Sequence, residues 1–252
     1  IENPGVIGMI KHHALLYEDL ADPVSLLRDP NLPTQTANFW TYLGVDRDIK
    51  MSAKNTIEYS QLMAASQTMI SEIICASVDF SQYRKILDVG GGLGIFAKHV
   101  ADSAPRTNVT VFDLPQVVEA IEHARETKEK ITRIEAIGGD FFKDRVPTDY
   151  DLITLVRVLY DHSDENVDQL LRNIHESLKP NGTLLIAEPF ASSGATDRTA
   201  DAYFNMYLLA MRAGNVRSFC RHAELLRAAG FRRIQTVQSI NPSLARIILA
   251  RA

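Results

Sequence analysis

Arg84-Lys85-Ile86-Leu87-Asp88-Val89-Gly90-Gly91-Gly92-Leu93-Gly94-Ile95-Phe96 is the stretch on which the reading of this 252-residue chain turns. A short, largely apolar run, Ile86 to Val89, stops at a cluster of glycines, and a helical pattern starts at Ile95. Strand, tight turn and helix start in this order mark the ligand edge of an open α/β sheet. Glycines at 90, 92 and 94 permit positive φ and let a ligand lie against bare main chain. The helix N-terminus behind them offers free N–H groups to a negatively charged group.

Downstream, strand-like and helical runs alternate. The strands are expected at Lys85–Val89, Asn108–Phe112, Arg133–Ile137, Asp151–Val156, Thr183–Ala187, Arg233–Gln238 and Ala245–Ala250. Helices are expected at Ile95–Ser103, Pro115–Thr127, Glu165–Leu178 and Arg221–Ala229, with Ser163 to Glu165 reading as an N-cap. Alternation of this kind calls for a parallel sheet with helices on both faces. Lys179-Pro180-Asn181-Gly182 reads as a turn in which the glycine takes positive φ. Only Ile240-Asn241-Pro242-Ser243 joins the last two strands, so these should pair antiparallel at one edge. The expected fold is α/β, a Rossmann-like, doubly wound, mostly parallel seven-stranded sheet with an antiparallel edge strand, preceded by a helical segment.

Residues 1–80 carry no strand signal and form that helical segment; residues 81–252 form the binding domain. Gly8 to Leu20 places Ile10, Leu15, Leu16 and Leu20 near one face. Ser52 to Ser77 is a longer candidate, with Ile57, Leu62, Met63, Met69, Ile70, Ile73 and Ile74 as an apolar stripe. A net charge of −4 argues against a nucleic-acid footprint. No apolar run approaches the roughly 20 residues of a membrane span. The cysteines, Cys75 and Cys220, are too few for a disulfide framework or a zinc site, and each reads as a small buried residue in a reducing cytoplasm. The chain begins at Ile1 without a signal-like leader, as expected of a cytoplasmic fragment whose N-terminal part is missing.

Two residues narrow the ligand. Asp113 ends the second strand about 20 residues past the glycine turn, where a carboxylate can accept both hydroxyls of an unmodified ribose. The other role that fits Asp113 is N-cap of the helix at Pro115. After the third strand, Gly138-Gly139-Asp140-Phe141-Phe142 offers a carboxylate to an exocyclic amine and a ring to a base. Together they describe an adenosine site. The spacing Gly90-x-Gly92-x-Gly94 departs from the dinucleotide pattern, and no Lys-Ser/Thr follows the turn, so NAD and ATP fit poorly.

Leu87-Asp88-Val89-Gly90-Gly91-Gly92-Leu93-Gly94, Val111-Phe112-Asp113-Leu114-Pro115, Gly139-Asp140-Phe141-Phe142 and Val156-Arg157-Val158-Leu159-Tyr160-Asp161-His162 together resemble class I S-adenosylmethionine-dependent O-methyltransferases. The likeness is to the caffeic acid and acetylserotonin enzymes. The nearest likeness is to bacterial hydroxycarotenoid O-methyltransferases of the demethylspheroidene type. It rests on Leu155 to Leu159, Leu184-Leu185-Ile186-Ala187-Glu188-Pro189, Asp201 to Phe204 and Tyr207 to Met211. The resemblance implies S-adenosylmethionine as cofactor, with Gly90, Gly92 and Gly94 on its methionine part and Asp113 with Leu114 at the ribose. It places Gly139, Asp140 and Phe141 at the adenine, and Arg157 as a cofactor contact. It also implies an apolar small-molecule acceptor, walled by Met63, Tyr203, Met206 and Tyr207, and a homodimer formed through an N-terminal domain that this chain lacks. No metal is implied.

The base is where the sequence departs from that family. The family reads His-Asp-Trp where this chain reads Tyr160-Asp161-His162, and a phenol is a poor base at neutral pH. Glu188 matches the first of the two glutamates that flank the family histidine; the second would fall near Val216 and is absent. Either His162 serves as the base, or Tyr160 positions the acceptor and catalysis is mostly proximity and desolvation. C-methylation of a tetrapyrrole or aromatic ring, as in a bacteriochlorophyllide C-methyltransferase with tyrosine at this position, is the alternative reaction. A cofactor-binding protein without catalysis and, more distantly, an NAD-dependent oxidoreductase are the rival classes.

Overall fold

The computed structural model describes residues 4–39, 66–126, 133–191 and 198–252. The described chain opens with helices α1 (Pro4–Asp19), α2 (Pro23–Arg28) and α3 (Gln35–Phe39), followed by α4 over residues 66–77. Met63, with Ile57 and Leu62, lies outside the described residues. Strand β1 (Lys85–Val89) then leads to α5 (Ile95–Ser103), β2 (Asn108–Asp113), α6 (Pro115–Glu126), β3 (Ile134–Gly138) and β4 (Tyr150–Val156). After a 3₁₀ turn at Leu159–Asp161 come α7 (Asp164–Ser177), β5 (Leu178–Glu188), α8 (Arg198–Met211), α9 (Phe219–Ala228), β6 (Arg232–Val237) and β7 (Arg246–Arg251).

The seven strands form one sheet in the order β3-β2-β1-β4-β5-β7-β6. Pairs from β3 through β5 are parallel, and β7 runs antiparallel to both β5 and β6. The reversed strand is thus inserted one place in from the edge, and β6 closes the sheet. The central strands read as continuous apolar runs because helices cover both faces. Ile86, Val111, Leu152 and Leu185 pack with Ile70, Ile73 and Ile74 of α4 and Phe96 and Val100 of α5. Leu87, Phe112, Ile153 and Ile186 face the other way, onto Leu170 and Ile174 of α7 and Leu225 of α9. Alternate residues of one strand therefore build the two cores. A third cluster joins α1, α2 and α8 through Leu16, Leu26, Phe204, Tyr207 and Leu208, and reaches Tyr160.

Several local expectations need correction. β5 begins at Leu178, not Thr183, and its pairing with β4 shifts register between Leu178 and Thr183. In that irregular stretch Asn181, not Gly182, takes positive φ (63°). Asparagine tolerates the left-handed region through its short polar side chain. A Cβ on Gly182 would lie 2.9 Å from the Lys179 carbonyl oxygen, so that glycine serves close approach instead. α8 carries the acceptor-wall residues but is not among the helices expected from the sequence pattern. Ile10 and Met69 stand 59% and 48% exposed, so neither belongs to the core. Cys220 is exposed on α9 and Cys75 is half-buried.

Candidate active site

The glycine turn, the end of β2 and the loop after β3 meet at the carboxyl edge of the sheet, beside β1 and β4, where strand order reverses. Gly90, Gly92 and Gly94 all take positive φ (70°, 55° and 76°), and Gly94 caps α5 in the left-handed conformation. A Cβ on Gly90 would strike Val158 at 2.8 Å, whereas nothing lies within 4 Å of one on Gly92. Gly92 therefore fronts open space at the turn.

Asp113 closes this turn. Its Oδ2 accepts from the Gly92 N–H at 2.7 Å and its Oδ1 from the Leu114 N–H at 2.7 Å. The Leu114 carbonyl receives the first N–H groups of α6, from Val117 and Val118, so Leu114 caps that helix and Asp113 does not. With two hydrogen bonds made, the carboxylate keeps acceptor sites for a diol. Burial raises its pKa, and the Gly92 and Leu114 N–H groups oppose the shift. An unmodified ribose fits this arrangement.

The β3 loop is held from within. Asp140 Oδ1 accepts from the Phe142 N–H at 2.9 Å, and the Asp140 N–H donates to Asp144 at 2.8 Å. A Cβ on Gly139 would lie 2.5 Å from the Phe112 ring, so glycine is required there for packing. Phe141 packs edge-on against Phe142, and the His162 ring stands 5.9 Å and 5.0 Å from the two.

A second cluster lies past β4. Arg157 is half-buried with φ 57°, a strained value for a non-glycine residue. Its Nη2 donates to Tyr160 Oη at 3.1 Å, and its guanidinium lies over the rings of Tyr160 and Phe204 at 5.5 Å and 6.0 Å. Tyr160 is buried, and burial lifts its phenol well above the ordinary range against the pull of Arg157. The phenol is protonated at any physiological pH. Tyr203 packs on Phe204 at 4.9 Å, and Tyr207 lies 6.0 Å from Tyr203. Met206, half-buried, shares this helix. Arg157, Tyr160, Tyr203 and Tyr207 are thus brought together.

Glu188 sits behind this cluster. Its Oε2 accepts from the Tyr160 backbone N–H at 3.1 Å, and its Oε1 lies 3.4 Å from His222 Nε2. Burial pushes the Glu188 carboxyl up to about 8 and the His222 imidazole down to about 3, so both are neutral at pH 7.

Three residues here escaped the sequence reading. Arg217, fully buried, donates to the carbonyls of Leu159 and His162 at 2.8 Å and 2.6 Å and to Asp164 Oδ1 at 2.6 Å. It fixes the 3₁₀ turn that presents Tyr160; only a cation beside the empty glutamate position hinted at it. Asp161 has a buried Oδ1 without a hydrogen-bond partner, and burial raises its carboxyl to about 7 against the opposing charge of Arg157. Asp88, the acid of the glycine-turn motif, accepts from Thr154 Oγ1 at 2.7 Å and is raised by burial to about 7. No group of three or more metal-ligating side chains gathers among the described residues.

A mostly parallel sheet with a glycine turn, an acid at the end of β2 and an aromatic cluster at one edge has the layout of a nucleotide-binding α/β domain. The chain belongs to the O-methyltransferase domain family, whose profile matches residues 17–232. It is 36% identical to demethylspheroidene O-methyltransferase of Rhodobacter capsulatus, over 98% of this chain and 61% of that protein. It is 38% identical to the Cereibacter sphaeroides protein of the same name, over 98% of this chain and 65% of that one. The chain therefore spans less than two thirds of the length of these relatives. The solved structure of human N-acetylserotonin methyltransferase in complex with SAM superposes with a TM-score of 0.80 at 27% identity, covering 97% of this chain and 69% of that one.

Proposed function

We propose that the protein is an S-adenosylmethionine-dependent methyltransferase that methylates a hydroxyl of an apolar small molecule, hydroxycarotenoid-like or aromatic. The observation that carries this reading is Asp113 tied to Gly92 beside an open glycine turn. The names of the relatives supply the hydroxycarotenoid class. When bound, the cofactor supplies an electrophilic methyl group on a sulfonium.

In this reading Asp113 takes the ribose hydroxyls, Leu114 and Gly139 line the nucleoside, and Asp140 with Phe141 takes the adenine. His162 braces Phe141 and Phe142 at that end. Gly90, Gly92 and Gly94 admit the methionine part, and Arg157 meets its carboxylate or orients the acceptor through Tyr160. Tyr160, held protonated, positions the acceptor and accepts no proton. Glu188 anchors the Tyr160 backbone from behind. Tyr203, Met206 and Tyr207 wall an apolar acceptor. We include in the proposal a cytoplasmic homodimer: Ile7, Ile10 and Tyr17 leave apolar surface exposed on α1, and sedimentation velocity tests it. Among the described residues no helix is long and apolar enough to cross a membrane.

The test is incubation of the protein with methyl-labelled cofactor and a panel of hydroxycarotenoids and phenols. A labelled methyl ether is the expected product. Label on carbon, read by product NMR, would transfer the reading to C-methylation. Tight cofactor binding by calorimetry without turnover would leave a binding protein.

A further inference from the structure

α1 carries adjacent histidines that reach the acceptor wall in different ways. His12 is buried, its Nε2 lies 2.5 Å from Tyr207 Oη, and burial lowers its pKa to about 4, with the neighbouring His13 adding to the shift. It is a neutral packing group. His13 is half-buried and directional. Its Nδ1 lies 2.6 Å from the Met9 carbonyl oxygen, which can only accept, so Nδ1 carries a proton. In the neutral ring Nε2 is then a bare lone pair, and it lies 2.7 Å from Tyr203 Oη. The Tyr203 hydroxyl therefore donates to His13. The two rings stack at 5.6 Å and 23°. Tyr203 in turn packs on Phe204, which the Arg157 guanidinium overlies beside Tyr160.

We propose that Tyr203 and His13 form the proton path of the reaction, replacing the imidazole that is absent at position 160. The inference rests on the O-methyltransferase reading above. As the acceptor oxygen takes the methyl group, the C–S bond breaks and its electron pair leaves with the sulfur as a neutral thioether. The hydroxyl proton passes to Tyr203 Oη while the Tyr203 proton passes to His13 Nε2. His13 ends as the imidazolium, hydrogen-bonded to Met9, and returns its proton to solvent from its half-exposed position. Tyr203 is the group that touches the acceptor; His13 acts through it. The groups facing the pair are His12 and Tyr17 on α1, at ring distances of 6.3 Å and 6.2 Å from His13, Tyr207 on α8, and Arg157 beyond β4. Arg157 opposes the burial that raises the Tyr203 phenol, which eases transfer through it.

His13 takes the proton only through Tyr203, so loss of either group interrupts the path. His13→Gln and Tyr203→Phe should each lower kcat roughly 10²-fold, the usual weight of a positioned proton acceptor. The cofactor dissociation constant should stay unchanged. The double variant should fall no further than either single one, because the pair works as one unit. Tyr203→Phe preserves the packing and carries the test if His13→Gln disturbs α1. Nitrogen-15 NMR of the resting protein should show His13 protonated on Nδ1 and bare on Nε2. A neutral ring protonated on Nε2 overturns the relay whatever the turnover. Wild-type kcat in both variants also overturns it. Wild-type turnover decides the parent reading, and tautomer and variant ratios decide the relay, so the two fail separately.

Discussion

Asp113 joins two parts of the chain that are 21 residues apart: the carboxylate proposed to take the ribose also holds the Gly92 N–H. Asp113→Ala removes both the ligand contact and the partner of a partly buried donor, each on the order of 1–3 kcal/mol. The expected result is an S-adenosylmethionine dissociation constant raised about 10- to 100-fold in calorimetry, with an unchanged circular dichroism spectrum. An unchanged constant would remove the ribose role. Tyr160 offers a contrasting test. Tyr160→Phe deletes the hydrogen bond from Arg157, so kcat/KM should fall about 10-fold, the weight of one bond to a charged group. The rate–pH profile should keep its shape, because the phenol does not titrate in range; a lost limb would show that it does. The position of Asp113 was legible from its spacing to the glycines. Its grip on Gly92 was not, because hydrogen bonds across a sheet edge leave no periodic trace in sequence.

At the scale of elements, the 3₁₀ turn at Leu159–Asp161 is where the site is held most tightly. Glu188 anchors it from β5, Arg217 from the segment before α9, and Gly214 lets the chain pass. A Cβ on Gly214, where φ is 80°, would lie 2.1 Å from the Tyr160 carbonyl oxygen. Arg217→Leu should leave the Leu159 and His162 carbonyls without their donor and Asp164 without one of its two arginines. A loss of roughly 3–5 kcal/mol is expected in urea denaturation, the cost of breaking a buried charged network. Faster amide exchange at residues 159–162 should accompany it. Full stability in that variant would show that the turn needs no clamp. The capped helix α7 was readable from Ser163 and its apolar face, and its N-cap is observed. β5 began earlier than its apolar run, since pairing with β4 carries the strand through a polar turn. α8 escaped because aromatic and small residues give a weak helical stripe, and its order comes from packing on α1 and Tyr160.

Over the whole molecule, buried ionisable groups set the response to pH. Asp88 and Asp161 are raised to about 7 and Glu188 to about 8, so the folded state binds more protons than the unfolded one up to those values. Stability from these three is present at low pH and is lost as pH rises through 7 to 8. His12 and His222, lowered to about 4 and 3, act in the opposite sense, but only below about pH 6.5. Unfolding free energy should therefore drop by on the order of 2 kcal/mol between pH 6.5 and 8.5. Urea midpoints at constant ionic strength check this, and a midpoint that rises over that interval would contradict the buried charges assigned here.

Sequence alone determined the alternating α/β order, the glycine turn, the acid at the end of β2 and the family, because these depend on local propensity and on short, fixed spacings. It also exposed the missing histidine. Only the tertiary structure decided what surrounds Tyr160: Arg157 across its hydroxyl, Glu188 and Arg217 behind it, and His13, 190 residues from Tyr203, in hydrogen-bond contact with that phenol. Burial and long-range contact set which of these groups hold protons, and both arise only when α1, α8 and the sheet edge close on one another.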